Sequence, residues 1–236
     1  MKKYLILFLT AIFLTNSVQA QESTVSKNNI SNNLFNRNIQ NAKILSNKLN
    51  LKTKNKSSDS NNLNSEQEDL SADAMILYNA NDIDGALKII QSIPEEQRTA
   101  LDWLLLGNIY QDKKDTDKAA LMYQKSIIKD TRFYRAYYNL GNLYLEDENA
   151  QEAINLYKLS LKYKPDFGYA HYNIGCAYVK LGNLKKAKSS FLKAAEYKKD
   201  MPEIYYNLVF VYKKLGDNKK AEEYLKIYNE LALRKL

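Results

Sequence analysis

A single cysteine, Cys176, in 236 residues excludes an intramolecular disulfide, so whatever fold the chain adopts rests on packing alone. A single histidine, His171, lies five residues before that thiol, and no Cys/His spacing that could hold zinc is present. Three prolines and seven glycines are too few for the many turns of an all-β domain. With 45% hydrophobic residues the chain has ample core material, and the shortage of turn residues points to helices. There is no glycine-rich phosphate loop. Beyond the first twenty residues no apolar run approaches the roughly 20 residues that a membrane-spanning helix needs. Against these shortages stand nineteen tyrosines, which with one tryptophan and seven phenylalanines bring the aromatic content to 11%.

The opening segment MKKYLILFLTAIFLTNSVQA has two lysines, an apolar run from Tyr4 to Leu14, and small residues Val18 and Ala20 around Gln19. That order of basic, apolar and small residues is the pattern of a secretory signal, with cleavage expected after Ala20. No cysteine sits near the cut to accept a lipid. The expected product is an exported protein, periplasmic where the cell has two membranes. Its formal charge of +8 falls to +6 once Lys2 and Lys3 are removed.

Residues 21–65 change character. Thirteen of them are Asn and eight are Ser, with seven Lys or Arg against only Glu22 and Asp59. Such a composition buries too little apolar surface to offset chain entropy, and the segment reads as a disordered basic tether. Inside it Phe35, Ile39, Ala42, Leu45 and Leu49 recur at steps of three and four, with Arg37, Lys43 and Lys48 among them. An amphipathic helix on an anionic surface and a plain linker are both compatible with that stripe.

From residue 66 onward the chain repeats itself. Gly107, Gly141 and Gly175 stand 34 residues apart, and so do Tyr110, Tyr144, Tyr178 and Tyr212. Ala119, Ala153, Ala187 and Ala221 keep the same interval, as do Leu106, Leu140, Ile174 and Leu208. Tyr123, Tyr157, Phe191 and Tyr224 hold it to within one residue. Large residues at three- and four-residue steps form one buried stripe per helix, and the small Gly and Ala positions mark where paired helices approach.

The reading Trp103, Leu106, Gly107, Tyr110, Ala119, Tyr123 resembles the tetratricopeptide repeat. Further copies run Tyr137, Leu140, Gly141, Tyr144, Ala153, Tyr157, Pro165, then His171, Ile174, Gly175, Tyr178, Ala187, Phe191, Ala194, then Tyr205, Leu208, Tyr212, Ala221, Tyr224. The resemblance implies an all-α fold, a right-handed solenoid of stacked helix-turn-helix hairpins with units at 100–133, 134–167, 168–201 and 202–235. Residues 66–99 fit as a degenerate first unit, with Ala74 and Ala86 at the small positions and Leu77 and Ile90 at the aromatic ones. That unit carries eight acids and two bases, the composition of a polar end cap or of an acidic site. Turn residues such as Asp115, Asp117 and Asn183 are expected to cap second helices.

The same resemblance implies that the first helices line a concave groove suited to a peptide or helix of another protein. The groove positions are Arg135, Tyr138, Asn139, Asn142, Tyr169, Tyr172, Asn173, Tyr206, Asn207 and Phe210. Tyr offers large contact area with one hydroxyl, and Asn can pair with a peptide N–H and C=O together; alternatively these asparagines order neighbouring helices. The basic residues with which some family members grip a peptide carboxylate are missing here, their places taken by Leu104, Tyr169 and Asn173 or by Tyr138, Glu203 and Asn207. In the last unit Val209 replaces the expected glycine, which should push the final helices apart, and leaves Phe210 either under the terminal helix or in the groove. That end is a candidate docking place for a partner or a second copy.

Nothing in the sequence assembles a catalytic constellation. His171 occupies the wedge position of Trp103, Tyr137 and Tyr205, and Cys176 has no second histidine to activate it. The segment ANDIDG, 80–85, lacks the first acid and the closing Glu of a calcium loop and reads as a turn. No cofactor, metal or nucleic acid is expected, although an anionic membrane or wall polymer remains a compatible surface. Two functional readings follow. One is a non-enzymatic scaffold of the bacterial envelope that binds another envelope protein in its groove. The other is a structural component attached through its basic tether, self-assembling as a homodimer through its C-terminal repeat.

Overall fold

A computed structural model describes residues 61–233 of the chain, with side chains from Leu70 onward. The signal-like segment, the tether as far as residue 60 and the stripe at 35–49 lie outside the described residues. Ten helices follow one another: α1 (Asn61–Asn79), α2 (Ile83–Ser92), α3 (Ala100–Asp112), α4 (Thr116–Lys129), α5 (Tyr134–Glu146), α6 (Ala150–Tyr163), α7 (Gly168–Lys180), α8 (Leu184–Tyr197), α9 (Pro202–Lys214) and α10 (Asn218–Leu233). No strand occurs among the described residues. Each odd-numbered helix packs most extensively on the even-numbered helix that follows it, and each even-numbered helix makes a smaller contact with the next odd one. The described part is therefore an all-α solenoid of five helical hairpins. Helix α1 begins at Asn61, five residues inside the segment read as tether. Once a helix is nucleated, adding a residue fixes one more hydrogen bond at little cost, so packing further along extends it backwards into a polar sequence.

The turn between the two helices of a hairpin is built the same way five times. Asn81, Lys114, Glu148, Gly182 and Gly216 each take a left-handed backbone, with φ between 60° and 83°. The residue after each sends its N–H back to a carbonyl five positions earlier: Asp82 to Leu77, Asp115 to Tyr110, Asn149 to Tyr144, Asn183 to Tyr178 and Asp217 to Tyr212. This closes the first helix in a Schellman motif. Asp82, Asp115, Asn183 and Asp217 then accept an N–H of the second helix through Oδ1, at 2.9 to 3.2 Å. Asp115, rather than Asp117, is thus the cap of α4, while Asp117 lies in its first turn. Helix α3 starts instead with a capping box, Thr99 Oγ1 accepting the N–H of Asp102 at 3.2 Å and Asp102 Oδ2 accepting that of Thr99 at 2.7 Å.

Packing within a hairpin turns on two positions 16 residues apart, one on each helix. The pairs are Ala74 with Ile90, Gly107 with Tyr123, Gly141 with Tyr157, Gly175 with Phe191 and Val209 with Leu225. Where the first is glycine, the second is an aromatic ring that fills the space a side chain would take. A Cβ on Gly141 would lie 2.7 Å from Tyr157 Cε1, and one on Gly107 or Gly175 would collide with Tyr123 or Phe191 in the same way. Where the ring is replaced by Ile90 or Leu225, the opposing residue has grown to Ala74 or Val209. In the last pair no ring stands opposite Val209 in register. The nearby Tyr224 instead stacks on Tyr212 at 5.4 Å and on Tyr205 at 6.3 Å. The alanines of the second helices, Ala86, Ala119, Ala153, Ala187 and Ala221, are all fully buried.

The column Ser126, Ser160, Ala194 contains a natural control. All three are fully buried. Ser126 Oγ donates to the carbonyl of Ala100 at 2.6 Å, whereas Ser160 Oγ has no partner. Removing a satisfied buried hydroxyl costs about 1 kcal/mol, while an unsatisfied one already carries a desolvation penalty of about 1–3 kcal/mol. Ser126→Ala should therefore lower the urea midpoint, and Ser160→Ala should leave it unchanged or raise it. Equal losses in both variants would contradict the assignment.

Candidate functional site

The first helices of the repeats are tied to one another by side-chain amides. Asn139 Nδ2 donates to Asn108 Oδ1 at 2.8 Å, and the hydroxyl of Tyr123, from the second helix of the preceding repeat, lies between two acceptors, the same oxygen at 2.9 Å and Gln111 Oε1 at 2.8 Å. One repeat on, Asn173 Nδ2 and the Tyr157 hydroxyl both donate to Asn142 Oδ1 at 2.8 Å. Asn173 also reaches the Tyr138 hydroxyl oxygen at 3.2 Å. Burial raises the Tyr123 and Tyr157 hydroxyls far above the ordinary tyrosine value, so both are permanent donors. In the third repeat the pair changes together: Phe191 stands for the tyrosine and Cys176 for the asparagine, and no polar atom is orphaned. Asn207 then turns to the Tyr172 hydroxyl at 3.1 Å and to the carbonyl of Glu203 at 3.0 Å.

The asparagines read as groove contacts are thus engaged in holding helices together. Asn139, Asn142 and Asn173 are half-buried and hydrogen-bonded across repeats, and Asn207 is buried at 6% exposure. Tyr138 and Tyr172 are half-buried, their hydroxyl oxygens accepting from the next repeat's asparagine. What the surface presents is aromatic. Tyr169, Tyr206 and Phe210 are 38–43% exposed, and Arg135, one repeat before Tyr169 in the same column, is exposed too, its guanidinium 5.8 Å from the Tyr134 ring. Phe210 stands out from the surface rather than packing beneath the terminal helix.

Two residues not singled out from the sequence complete the patch. Phe167, in the turn before α7, meets Tyr134 at 5.0 Å, Tyr138 at 4.9 Å and Tyr169 at 5.7 Å, each edge to face. Lys198 Nζ lies 4.6 Å over the Tyr169 ring. The result is a four-ring cluster with a cation at each side, Arg135 and Lys198, on a frame locked by asparagines. Rings in such edge-to-face array offer apolar area with little entropy to lose, and the cations favour an acidic neighbour on whatever docks. The signal for Phe167 was the 34-residue spacing to Phe133, outside the helical stripe.

His171 is a structural residue. Its Nε2 lies 2.9 Å from the carbonyl of Pro165, at the place where the Tyr137 hydroxyl bonds to the carbonyl of Thr131 and that of Tyr205 to the carbonyl of Lys199, both at 3.0 Å. Tyr197 stacks on the imidazole at 5.4 Å. Burial lowers the His171 pKa below its ordinary 6.5, with Lys193 acting in the same direction and the Pro165 hydrogen bond and Glu196 opposing. A depressed native value means the unfolded chain binds the proton more readily. The neutral ring's contribution is fully present above pH 6.5 and is lost as pH falls from there through the lower native value. His171→Tyr should remove this component: wild type should lose urea resistance between about pH 7 and pH 5 more steeply than the variant. Parallel slopes would show that His171 is not the titrating group.

Cys176 packs among Tyr172, Val179 and the core of the last repeat, and burial pushes its thiol up to about 12, so no thiolate is available for nucleophilic chemistry. Among the described residues no group of three or more His, Cys, Asp or Glu is placed to hold a metal ion. None of the described helices is long and apolar enough to cross a membrane.

Five stacked hairpins closed by the same left-handed turn, three of them with glycine-to-ring packing, and an asparagine ladder define a helical-repeat protein of the kind that serves as a protein-interaction scaffold. The tetratricopeptide repeat model matches residues 103–127, 134–167, 168–201 and 202–231, a little over half of the chain, and the protein belongs to that family. Solved structures of MamA share the fold. One superposes with a TM-score of 0.62 at 23% identity, covering 69% of this chain and 95% of the other. A second has a TM-score of 0.60 at 22% identity, over 71% and 94%. A double mutant of MamA gives 0.63 at 17% identity, over 71% and 95%. No curated protein matches the sequence significantly.

Proposed function

We propose that this protein is an exported, non-enzymatic scaffold that binds a peptide or helix of another envelope protein along the face of its first helices. The observation that carries the reading is the aromatic cluster in which the exposed Tyr169 stands on half-buried Phe167, flanked by Arg135 and Lys198 and held on a pre-ordered frame. A rigid aromatic surface binds with little ordering cost, and a buried apolar or aromatic anchor with an adjacent acidic residue is the ligand it fits. The secretory pattern of residues 1–20 supports the export, and the basic tether gives the solenoid reach from an anionic surface.

The test is capture from an envelope extract by wild type and by a Tyr169→Ala, Arg135→Ala variant. Both side chains are exposed, so the variant should keep its melting temperature while losing the captured partner. Equal recovery by both proteins would remove the groove reading. Mass measurement of the protein after export checks the cleavage after Ala20. An unprocessed N-terminus would contradict the exported address.

A further inference from the structure

Inside the chain the third repeat meets the fourth through Tyr172, Cys176, Val179, Phe191 and Leu192, which pack with Ile204, Leu208 and Val211. Thirty-four residues on, in the last described hairpin, the same positions hold Tyr206, Phe210, Lys213, Leu225 and Lys226. The aromatic and leucine positions stay apolar and are 37–43% exposed, while the two aliphatic ones have become exposed lysines. The other end shows the complementary change. Ile109, Leu143, Ala177 and Val211 form a column no more than 4% exposed, yet Ile76, one repeat earlier in that column, is 63% exposed. In the column of Leu106, Leu140, Ile174 and Leu208 the first hairpin carries the exposed Asp73.

We propose that copies of this chain associate head to tail, the face formed by α9 and α10 of one copy stacking on α1 of the next as one repeat stacks on another within the chain. Apolar side chains would then meet apolar ones, Phe210, Tyr206 and Leu225 against Ile76. Lysine would meet aspartate where the internal interfaces have aliphatic pairs. The wider charge leans the same way: residues 66–99 carry eight acids and two bases, while residues 202–235 carry seven bases and five acids. A tail-to-tail pair would oppose Lys213 and Lys226 to their own copies, which disfavours the symmetric alternative. A heterologous contact of this kind does not close on itself, so assemblies grow with concentration.

Sedimentation of the full chain, as the cell processes it, tests the proposal with two single variants, Ile76→Lys and Phe210→Lys. Both positions are exposed, so melting temperatures should match wild type. Should Ile76→Lys prove unfolded, Asp73→Lys replaces it as the head variant. Wild type should shift to larger species as concentration rises, and less so at high salt. Each variant alone should associate at least about tenfold more weakly, a loss of about 1.4 kcal/mol. Mixed, they should form one-to-one dimers, because one keeps an intact head and the other an intact tail. Three results would overturn it: wild type monomeric up to about 1 mM, the head variant associating as wild type does, or no dimer in the mixture.

Discussion

Gly141→Val should destabilise the protein by about 3 kcal/mol, the upper range for overpacking a well-filled core. A single Cβ at that position would already lie 2.7 Å from Tyr157 Cε1, and valine adds two methyl groups on a stiff χ1. The ring has nowhere to go. Tyr157 is fully buried, its hydroxyl is fixed on Asn142, and Tyr138 packs on its face at 5.7 Å. The same chain contains the compensated form: Val209 faces the register position of Leu225, where no ring stands. Gly141→Val combined with Tyr157→Leu should therefore cost less than the two single changes summed, by about 2 kcal/mol of coupling. Equilibrium unfolding in urea of wild type, both single variants and the double variant measures that coupling. Strict additivity would mean that glycine and ring do not share the same space. Because each repeat touches only its neighbours, the injury in the second repeat should also separate the two ends of the solenoid into distinct unfolding steps.

Much of this architecture was legible in the sequence because the determinants are local and repeated. Glycine, alanine and the large residues of a hairpin lie within one period of each other, so a 34-residue comparison displays the columns that pack. The wedge role of His171 was equally readable, since its column holds only aromatic residues. The groove was less so. Tyr-Asn-Leu-Gly-Asn spells the same phrase whether its amides face a ligand or the next helix, and the distinction lies in bonds such as Asn139 to Asn108, which join one repeat to another. Phe167 was missed because it sits in a turn, outside the helical stripe that periodicity detects. The neighbour of Val209 was less legible for a related reason: its register partner is Leu225, and the aromatic Tyr224 lies one residue earlier.

Asn142→Ala should cost about 2–3 kcal/mol, more than an ordinary half-buried polar truncation, because two donors converge on its Oδ1. The Tyr157 hydroxyl would lose the acceptor of its proton, and Asn173 would keep only the longer contacts to the Tyr138 and Tyr157 hydroxyl oxygens, at 3.2 and 3.4 Å. The third repeat again supplies the remedy. There Phe191 and Cys176 replace the tyrosine and asparagine together, and Asn207 retains the Tyr172 hydroxyl at 3.1 Å. Tyr157→Phe with Asn142→Cys should accordingly recover about 1–2 kcal/mol relative to Asn142→Ala, although it lacks the same hydrogen bonds, since it leaves no donor stranded. The comparison separates the two physical accounts of the ladder. If the hydrogen bonds themselves supply the stability, the double variant is as weak as the single one. If avoiding orphaned polar groups is what counts, it is stronger, and urea midpoints of the two proteins decide between them.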